Sequence, residues 1–450
     1  MVHFTRHILS NGLRILIHED ESTPLVAFNM LYFVGSRDEL PDKTGFAHLF
    51  EHLMFAGSRN APDFDEPLQQ AGGENNAFTT NDYTTFYEIL PAENLETAFW
   101  LESDRMLALS ITKRALSVQQ RVVVEEFKET CLNEPYGDSW HHLSELMFKV
   151  HPYRWPVIGL SPEHVANATT DDVRTFYRQW YCPNNAVLSI AGKVRTEEVL
   201  QMAEKWFGNI PAGSAPHRLL PAEPPQTEAQ HRTLHADVPV PAVYLAFRTP
   251  SRIDPDFYPV DLLTDILAQG QSSRLYRRLV REQQVFSHID AYVTANLDPG
   301  LLVIDGKPAA GVSTEDALAA IWAELEQLKQ TPIDQLLVTR PSLYIFRSEQ
   351  GHAAYFALNG YSMLINGGYD RLRPSFWKFV NLLQQIDSVL LTHADVDALG
   401  GLVGLFGKKA ADTAAECKPQ VLTLLGNFVR SATKPQSDTP TIKTDVDVIL

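Results

Sequence analysis

The chain of 450 residues contains only three cysteines, Cys131, Cys182 and Cys417, which lie far apart in the sequence. This small, odd number excludes a disulfide framework and a cysteine-based zinc knuckle, and it favours a reducing compartment. Basic residues are also scarce, because 38 Lys and Arg stand against 55 Asp and Glu and the formal net charge is −17. A nucleic-acid partner and binding to an anionic membrane are therefore not expected.

Long apolar runs are absent as well. No stretch reaches the roughly 18 uninterrupted apolar residues of a membrane-spanning helix, and the first residues, MVHFTRHILSNGLRILIHED, lack the apolar core of a secretory signal. The sequence therefore predicts a cytoplasmic protein without a membrane segment. The hydrophobic share of 44% and the charged share of 21% are typical of a globular chain, whose length suggests two or three domains.

Local patterns in the first half predict an alternation of strands and helices. Asn11-Gly12 between two β-prone runs indicates a hairpin, and the apolar run LVAFNMLYFVGS indicates a buried strand. A second hairpin is predicted in NNAFTTNDYTTFYEIL, which is rich in threonine and aromatic residues. Helices are predicted between Gly45 and Gly57, over residues 93–109 and over residues 113–131.

A proline-rich stretch over residues 211–241 divides the chain near its middle. Seven prolines in this stretch disfavour helix and central strand and favour a semi-rigid extended linker. After it, VPAVYLAFRTPS followed by DFYPVDLLTDILAQG repeats the order of a strand followed by an apolar helix. We therefore predict an α+β fold with two related α/β-sandwich halves, an N-terminal domain over residues 1–210 and a degenerate repeat over residues 242–450.

The predicted first helix contains the sequence His48-Leu49-Phe50-Glu51-His52. Positions i, i+3 and i+4 share one face of an α-helix, so both imidazoles and the carboxylate are expected on the same side. Two imidazoles at this spacing can bind one Zn²⁺ and leave the glutamate beside the metal. The alternatives are histidines in a helix without a metal, or a structural zinc site, which would need a fourth protein ligand and usually uses cysteine.

A third ligand is expected on the predicted helix that contains QQRVVVEEFKE. Glu126 follows Val122 by four residues and Val123 by three, so it shares a face with apolar residues. A carboxylate on such a face is expected to be paired or metal-bound, because isolated buried charge is costly. Glu125 is its more exposed rival, and the pattern alone favours Glu126 without excluding Glu125.

Several blocks of the sequence, in order and spacing, resemble the pitrilysin or insulinase family of zinc metallopeptidases, in particular its short bacterial and mitochondrial-processing branch. HLFEH is the inverted zinc motif of that family. The other matching blocks are VGSRDELPDKTGFAHLFEHLMFAGS, NAFTTNDYTTFY, VVVEEFK, YRWPVIGLSPEHV, FYRQWYCPNNAVLSIAGKV and, more loosely in the second half, GQSSRLYRRLVREQQVFSH.

This resemblance implies one Zn²⁺ per chain, held by His48, His52 and Glu126, the last of these 74 residues beyond His52. It implies that Glu51 is the general base for attack of water on a peptide bond. It also implies that the edge strand around Asn76 and Ala77 binds extended substrates through its main chain. The expected function is a zinc endopeptidase for unfolded peptides in an enclosed chamber. The alternative is a non-catalytic scaffold or interaction subunit of the same fold.

Two positions depart from the family pattern. Gln119, seven residues before Glu126, stands where the family commonly has a second, supporting glutamate. In the C-terminal signature, Arg281 is retained but His288 replaces the tyrosine of a substrate-binding pair. The family chamber contains four related domains, and this chain supplies two, as one bowl of a clamshell. The resemblance therefore implies a second homologous subunit, expected to be a non-zinc partner with a complete Arg/Tyr pair, with a homodimer as the alternative.

Overall fold

The computed structural model describes residues 3–214 and 219–330 with their side chains and, beyond residue 330, the backbone of six strands. The strands are β1 (Thr5–Ile8), β2 (Arg14–Glu19), β3 (Leu25–Tyr32), β4 (Glu74–Thr79), β5 (Thr84–Pro91), β6 (Ala186–Gly192), β7 (Val243–Arg248), β8 (Phe286–Val293), β9 (Leu301–Pro308), β10 (Ser342–Ser348), β11 (Gly351–Leu358), β12 (Tyr361–Ile365), β13 (Gln385–Leu391), β14 (Gln420–Gly426) and β15 (Val448–Ile449). The helices are α1 (Phe46–Leu53), α2 (Asp65–Gln70), α3 (Leu95–Ala108), α4 (Lys113–Phe127), α5 (Ser139–Met147), α6 (Pro162–Ala166), α7 (Thr170–Trp180), α8 (Thr196–Phe207), α9 (Phe257–Ala268) and α10 (Thr314–Gln330).

The first sheet has the strand order β1-β2-β6-β3-β5-β4. Strands β2 and β6 pair parallel, and the remaining neighbours pair antiparallel. Both predicted hairpins are confirmed, because β1 pairs with β2 across Asn11-Gly12 and β4 pairs with β5. Strand β4 lies at one edge of this sheet, so its outer main-chain groups have no neighbouring strand within it.

Alternation along the strands builds the core of this region. In β3, the side chains of Val26, Phe28, Met30 and Tyr32 are fully buried on one face of the sheet. They join a cluster with buried residues of α1, α3 and α8, because successive side chains of a strand point to opposite faces. The predicted helices are confirmed as α1, α3 and α4, although α4 ends at Phe127 and a π-helical turn continues it over Lys128–Asn133.

The chain divides into two compact units. The first contains Met1–Thr264 with Ala291–Lys307, and the second contains Asp265–Asp290 with Pro308–Leu450. In the second unit, a sheet runs in the order β10-β11-β12-β13-β14-β15, and its last four strands are parallel. The predicted domain limits at residues 210 and 242 stay predictions. None of the helices in the described residues is long and apolar enough to cross a membrane.

The proline-rich stretch contains no regular structure where it is described, and it is fixed to the first unit by Glu223. The Glu223 carboxylate accepts hydrogen bonds from the main-chain N–H groups of Lys149, Val150 and His151 at 2.8–2.9 Å. The Arg248 guanidinium lies 3.1 Å from the same carboxylate. Burial opposes its charge, but these donors outweigh burial and lower the pKa of Glu223 below its usual value. At least this part of the stretch is therefore docked rather than a free spacer.

The variant Glu223→Gln is expected to lower the thermal midpoint of the chain by about 2–8 °C at pH 7. Both carboxylate oxygens accept hydrogen bonds from N–H donors, and the amide keeps one neutral acceptor and places an NH₂ group against the other donors. A carboxyl group whose pKa is lowered by folding stabilises above its unfolded value, near 4.5, and loses that contribution as the pH falls through the lower folded value. The difference between the midpoints of the wild type and the variant should therefore shrink below about pH 4.5. Scanning calorimetry from pH 7 to pH 4 measures both, and a difference that does not change with pH would contradict the role given to the charge.

Candidate metal centre

Helix α1 presents one apolar face to the core and one polar face away from it. The buried residues are Phe46, Ala47, Leu49, Phe50 and Leu53. Among them, the Phe50 ring stacks on Phe176 and Tyr181 at centroid distances of 5.2 and 4.9 Å. The face opposite this packing carries His48, Glu51 and His52, so the core packing of α1 fixes the direction in which these three side chains point.

The first turn of α1 is held by a buried carboxylate. Glu39, which is 6% exposed, accepts hydrogen bonds from the main-chain N–H groups of Gly45 at 2.9 Å and Ala47 at 2.8 Å. A carboxylate at a helix N-terminus satisfies donors that have no partner within the helix. Gly45 has φ of +84°, and a Cβ there would lie 2.8 Å from the Ile158 carbonyl oxygen, so glycine is required at this entry to the helix.

Helix α4 packs against α1 and is fixed on its other side by Gln120. The Gln120 side-chain amide donates to the carbonyl oxygens of Val165 and Ala168 at 2.9 Å. At the C-terminal end, Thr130 in the π-helical turn donates its hydroxyl to the carbonyl oxygen of Glu126 at 2.8 Å. These contacts set the rotation and the end of α4, and therefore the position of Glu126.

His48, His52 and Glu126 are brought together by α1 and α4. The distance from His48 Nε2 to His52 Nε2 is 3.4 Å. Glu126 Oε1 lies 3.5 Å from His48 Nε2, and Glu126 Oε2 lies 3.3 Å from His52 Nε2. Among the described residues, this is the one group of three or more His, Cys, Asp or Glu side chains that is close enough to hold a metal ion.

The separations among these side chains suit a tetrahedral Zn²⁺, and Glu126 approaches His48 with Oε1 and His52 with Oε2. Ligands at about 2.0–2.1 Å from zinc in tetrahedral geometry lie about 3.3–3.4 Å from one another, and the observed separations are 3.3–3.5 Å. Burial lowers the pKa of His48, although the carboxylates of Glu126 and Glu51 oppose this shift. The hydrogen bond with His52 lowers the pKa of Glu126 despite its partial burial. Both shifts favour a neutral imidazole and an ionised carboxylate, the forms that bind a metal.

The two rival glutamates of α4 point in different directions. Glu125 is 64% exposed and forms an ion pair with Lys128 at 2.7 Å, whereas Glu126 is 37% exposed and faces the histidines. The expectation that Glu126 shares a buried apolar face is only half right, because Val123 is 1% exposed but Val122 is 44% exposed. The buried stripe of α4 runs through Leu116, Val123 and Phe127, so Glu126 lies at its border.

Glu51 lies on the same face of α1 and is oriented by the neighbouring edge strand. Glu51 Oε2 accepts a hydrogen bond from the Thr79 hydroxyl at 2.6 Å. Further along β4, Asn76 is exposed and Ala77 is half-buried, and the Asn76 side-chain oxygen accepts the main-chain N–H of Ala77 at 2.8 Å. The edge strand and the polar face of α1 therefore meet at Thr79 and Glu51.

The remaining predicted site residues are Gln119, Arg281 and His288. Gln119 is half-buried on α4, two helical turns before Glu126. Arg281, in the helical turn Tyr276–Glu282, and His288, on β8, belong to the second unit and are exposed. Beside Glu126, an open cavity of about 510 Å³ is lined by Val118, Arg121, Val122, Glu125 and Glu129. The roles predicted for Gln119, Arg281 and His288 stay predictions.

Two residues of the site region were not found by sequence reasoning. Glu39 precedes α1 by seven residues and carries no capping pattern at the usual spacing, so its long reach to Gly45 and Ala47 has no local signal. Thr79 does have a local sequence signal, because residues two apart share a face of a strand and Thr79 follows Ala77 by two. The alternation of β4 alone could therefore have placed Thr79 on the same face as Ala77.

Comparison with known families gives matches over most of the chain. A model described as Insulinase (Peptidase family M16) matches residues 14–158, and one described as Peptidase M16 inactive domain matches residues 167–340. A third, described as MAP1B MBL-like domain, matches residues 325–437. His48, His52 and Glu126 all lie within the first match.

Individual relatives point in the same direction. The chain is 28% identical to the zinc protease PqqE of Helicobacter pylori over 356 residues, and this alignment covers 76% of the chain and 79% of that relative. It is 26% identical over 254 residues to a protein of Arabidopsis thaliana named Probable mitochondrial-processing peptidase subunit beta, with 55% and 47% covered. The crystal structure of a protease from Helicobacter pylori matches with a TM-score of 0.69 and 27% identity, over 73% of the chain and 81% of that structure. These likenesses and the mixed helices and sheets confirm the predicted α+β fold.

Proposed function

Because the chain belongs to the insulinase family of peptidases (M16), we propose that it is a zinc-dependent endopeptidase that hydrolyses unfolded peptides or oligopeptides in an enclosed chamber. The observation that carries this proposal is the convergence of His48, His52 and Glu126 within 3.5 Å of one another, with Glu51 on the same helix face. A glutamate that lies beside the predicted ligands on the same helix face can accept a proton from water, which a peptidase requires and a scaffold does not.

Three of the residues would bind the metal, and a fourth would transfer the proton. His48, His52 and Glu126 would hold Zn²⁺, which when bound acts as a Lewis acid that activates water and polarises a carbonyl group. Glu51 accepts the proton of the attacking water and can deliver it to the leaving amine. Thr79 occupies Oε2 of Glu51, which leaves Oε1 for this proton.

The free edge of β4 supports binding of an extended peptide. Antiparallel pairing with β5 uses one side of β4, and the opposite side forms the edge of the first sheet. The Ala77 main-chain N–H donates to the Asn76 side-chain oxygen, and a substrate carbonyl could take the place of that oxygen. Main-chain pairing of this kind demands little of the substrate sequence, in agreement with a peptidase for unfolded segments.

A scaffold or interaction subunit remains the second candidate function. It is favoured by the description of the model that matches residues 167–340, an inactive peptidase domain, and by Gln119 in place of a second carboxylate. The N-terminal residues His48, Glu51, His52 and Glu126 argue against it, because a subunit without catalysis has no reason to keep all four.

We also propose that the working enzyme is a heterodimer with a homologous subunit. The relative from Arabidopsis thaliana is itself named a subunit. In this chain, Arg281 is present but His288 stands in place of the tyrosine of the family pair. A non-zinc partner with a complete Arg/Tyr pair would supply the missing substrate contact, whereas a homodimer would supply only Arg281 and His288.

The purified chain is expected to bind about one zinc per chain. Together with the homologous subunit it is expected to cleave peptides and to lose this cleavage when a chelator removes the metal. Added zinc should restore the cleavage. Metal content by mass spectrometry, cleavage of unfolded peptides and the mass in solution by light scattering test these points, each with and without a homologous non-zinc chain. Metal-free protein without cleavage in either state would favour the scaffold, metal without turnover would indicate a structural site, and a fully active homodimer would contradict the heterodimer.

A further inference from the structure

We propose that Thr79 is a positioning residue for Glu51, whose carboxylate it holds in the orientation that proton transfer requires. Thr79 Oγ1 donates to Glu51 Oε2 at 2.6 Å, the length of a charge-assisted O–H···O⁻ hydrogen bond. Among the described residues, Thr79 is the one that forms a hydrogen bond with the Glu51 carboxylate. The inference rests on the proposed function, because Thr79 acts through the base.

The position of Thr79 follows from the strand to which it belongs. It is the last residue of β4 and pairs with Thr84 of β5. Helix α1 packs against β4, so a side chain on the facing side of the strand meets the polar face of the helix. Thr79 and Glu51 are 28 residues apart in the sequence, and it is this packing that brings them together.

A threonine is well suited to this task. Glutamate rotates about three side-chain bonds, and free rotation would spread its carboxylate over several positions. A β-branched side chain in a strand has restricted χ1, so the Thr79 hydroxyl is itself fixed before it meets Glu51. One hydrogen bond from a stiff donor therefore removes much of the freedom of a flexible base.

The turn that follows Thr79 is anchored by a buried polar cluster. Asp82, which is 3% exposed, accepts hydrogen bonds from the Tyr153 hydroxyl at 2.5 Å and the Leu297 N–H at 2.8 Å. Arg37 Nη1 lies 2.7 Å from Asp82 Oδ1. A carboxylate satisfied by three separate segments holds the β4–β5 turn in place, and this fixes the end of β4 at Thr79.

One strand thereby links the substrate edge to the base. Asn76 and Ala77 lie on the free edge of β4, and Thr79 follows in the same strand. The backbone of β4 would therefore fix the position of a peptide paired with this edge and, through Thr79, the position of the Glu51 carboxylate. Placement of the base relative to the scissile bond is then a property of β4 as well as of α1.

The variant Thr79→Val keeps the shape and loses the hydroxyl, and Thr79→Ser keeps the hydroxyl. We expect Thr79→Val to lower kcat by about 10- to 100-fold, with KM within about threefold of wild type and full zinc content, because a misplaced base slows the reaction without weakening binding. Thr79→Ser should recover most of kcat. Unchanged kcat in Thr79→Val would contradict the proposal. A raised KM or lost zinc with kcat retained would also contradict it, because Thr79 would then support the fold or the edge strand only.

Melting of the zinc-free protein provides a readout independent of activity. Thr79→Val should lower the thermal midpoint by about 2–4 °C when Glu51 is present, because it breaks the hydrogen bond between the two side chains. In the Glu51→Ala background this hydrogen bond is already absent, so Thr79→Val should change the midpoint little. Equal shifts in both backgrounds would contradict the contact. A wild-type chain that is inactive both alone and with a homologous non-zinc chain would contradict the proposed function. An active enzyme with equal shifts in both backgrounds would contradict the role of Thr79 alone.

Discussion

Glu51→Gln is expected to lower peptide hydrolysis by about 10²- to 10⁴-fold while the chain keeps its zinc. The amide has the size of the carboxylate, and its oxygen can still accept the Thr79 hydroxyl, so the geometry of the polar face of α1 is preserved. An amide cannot take up a proton from the attacking water. Since the separations among His48, His52 and Glu126 do not involve Glu51, metal binding should survive. Peptide cleavage rates and metal content of the same preparation measure both effects.

The control for this variant is Glu197→Gln, on the exposed surface of α8 in the same unit. It carries the same chemical change away from the site and should leave cleavage and zinc unchanged. Hydrolysis at the wild-type rate by Glu51→Gln would exclude Glu51 as the base. Loss of zinc in this variant would instead make Glu51 part of the ligand set.

Local sequence signals predicted the elements that carry the site. Asn11-Gly12 predicts a hairpin because both residues tolerate a tight turn, and Gly12 has φ of +89°. Gly45 directly precedes α1, which ends at Leu53, four residues before Gly57. The i, i+3, i+4 spacing places His48, Glu51 and His52 on one face. Such features depend on neighbours within a few residues, and they can be read from the sequence without knowledge of the fold.

Contacts between distant segments could not be predicted in this way. Arg105 is 1% exposed and forms ion pairs with Glu88 and Glu102 inside the core. Composition predicts a surface position for such charged residues, and burial is tolerated only because they meet one another. The contact of Glu223 with the turn that begins at Lys149 spans 74 residues. A proline-rich composition indicates a spacer and gives no sign of such docking.

The predicted metal ligands depend on both local and long-range contacts. The helical spacing of His48 and His52 is local, whereas the choice between Glu125 and Glu126 depends on how α4 is rotated against α1. The apolar pattern of α4 favours Glu126 and the family resemblance implies it, but the side chain lies only at the border of the buried face. The position of Glu126 beside His48 and His52 supports the choice, which stays a prediction.

A matched pair of variants on α4 tests this choice. Glu126→Gln is expected to weaken zinc binding by more than about 100-fold, because it removes a charged ligand, and even partners outside the ligand set typically affect metal affinity 10- to 100-fold. Glu125→Gln should leave zinc affinity unchanged, because it removes only an exposed ion pair with Lys128 that contributes about 0–1 kcal/mol. Competition with a chromophoric chelator measures both affinities.

The two variants differ by one position on the same helix and carry the same chemical change, so a general effect on α4 would appear in both. Equal loss of zinc would mean that α4 is destabilised or that both carboxylates bind the metal. Loss in Glu125→Gln alone would require a rotation of α4 by about 100° from its position here, and the buried contacts of Val123 and Phe127 oppose this. Loss in Glu126→Gln alone would assign the third ligand and, with His48 and His52, would leave one tetrahedral position open for water.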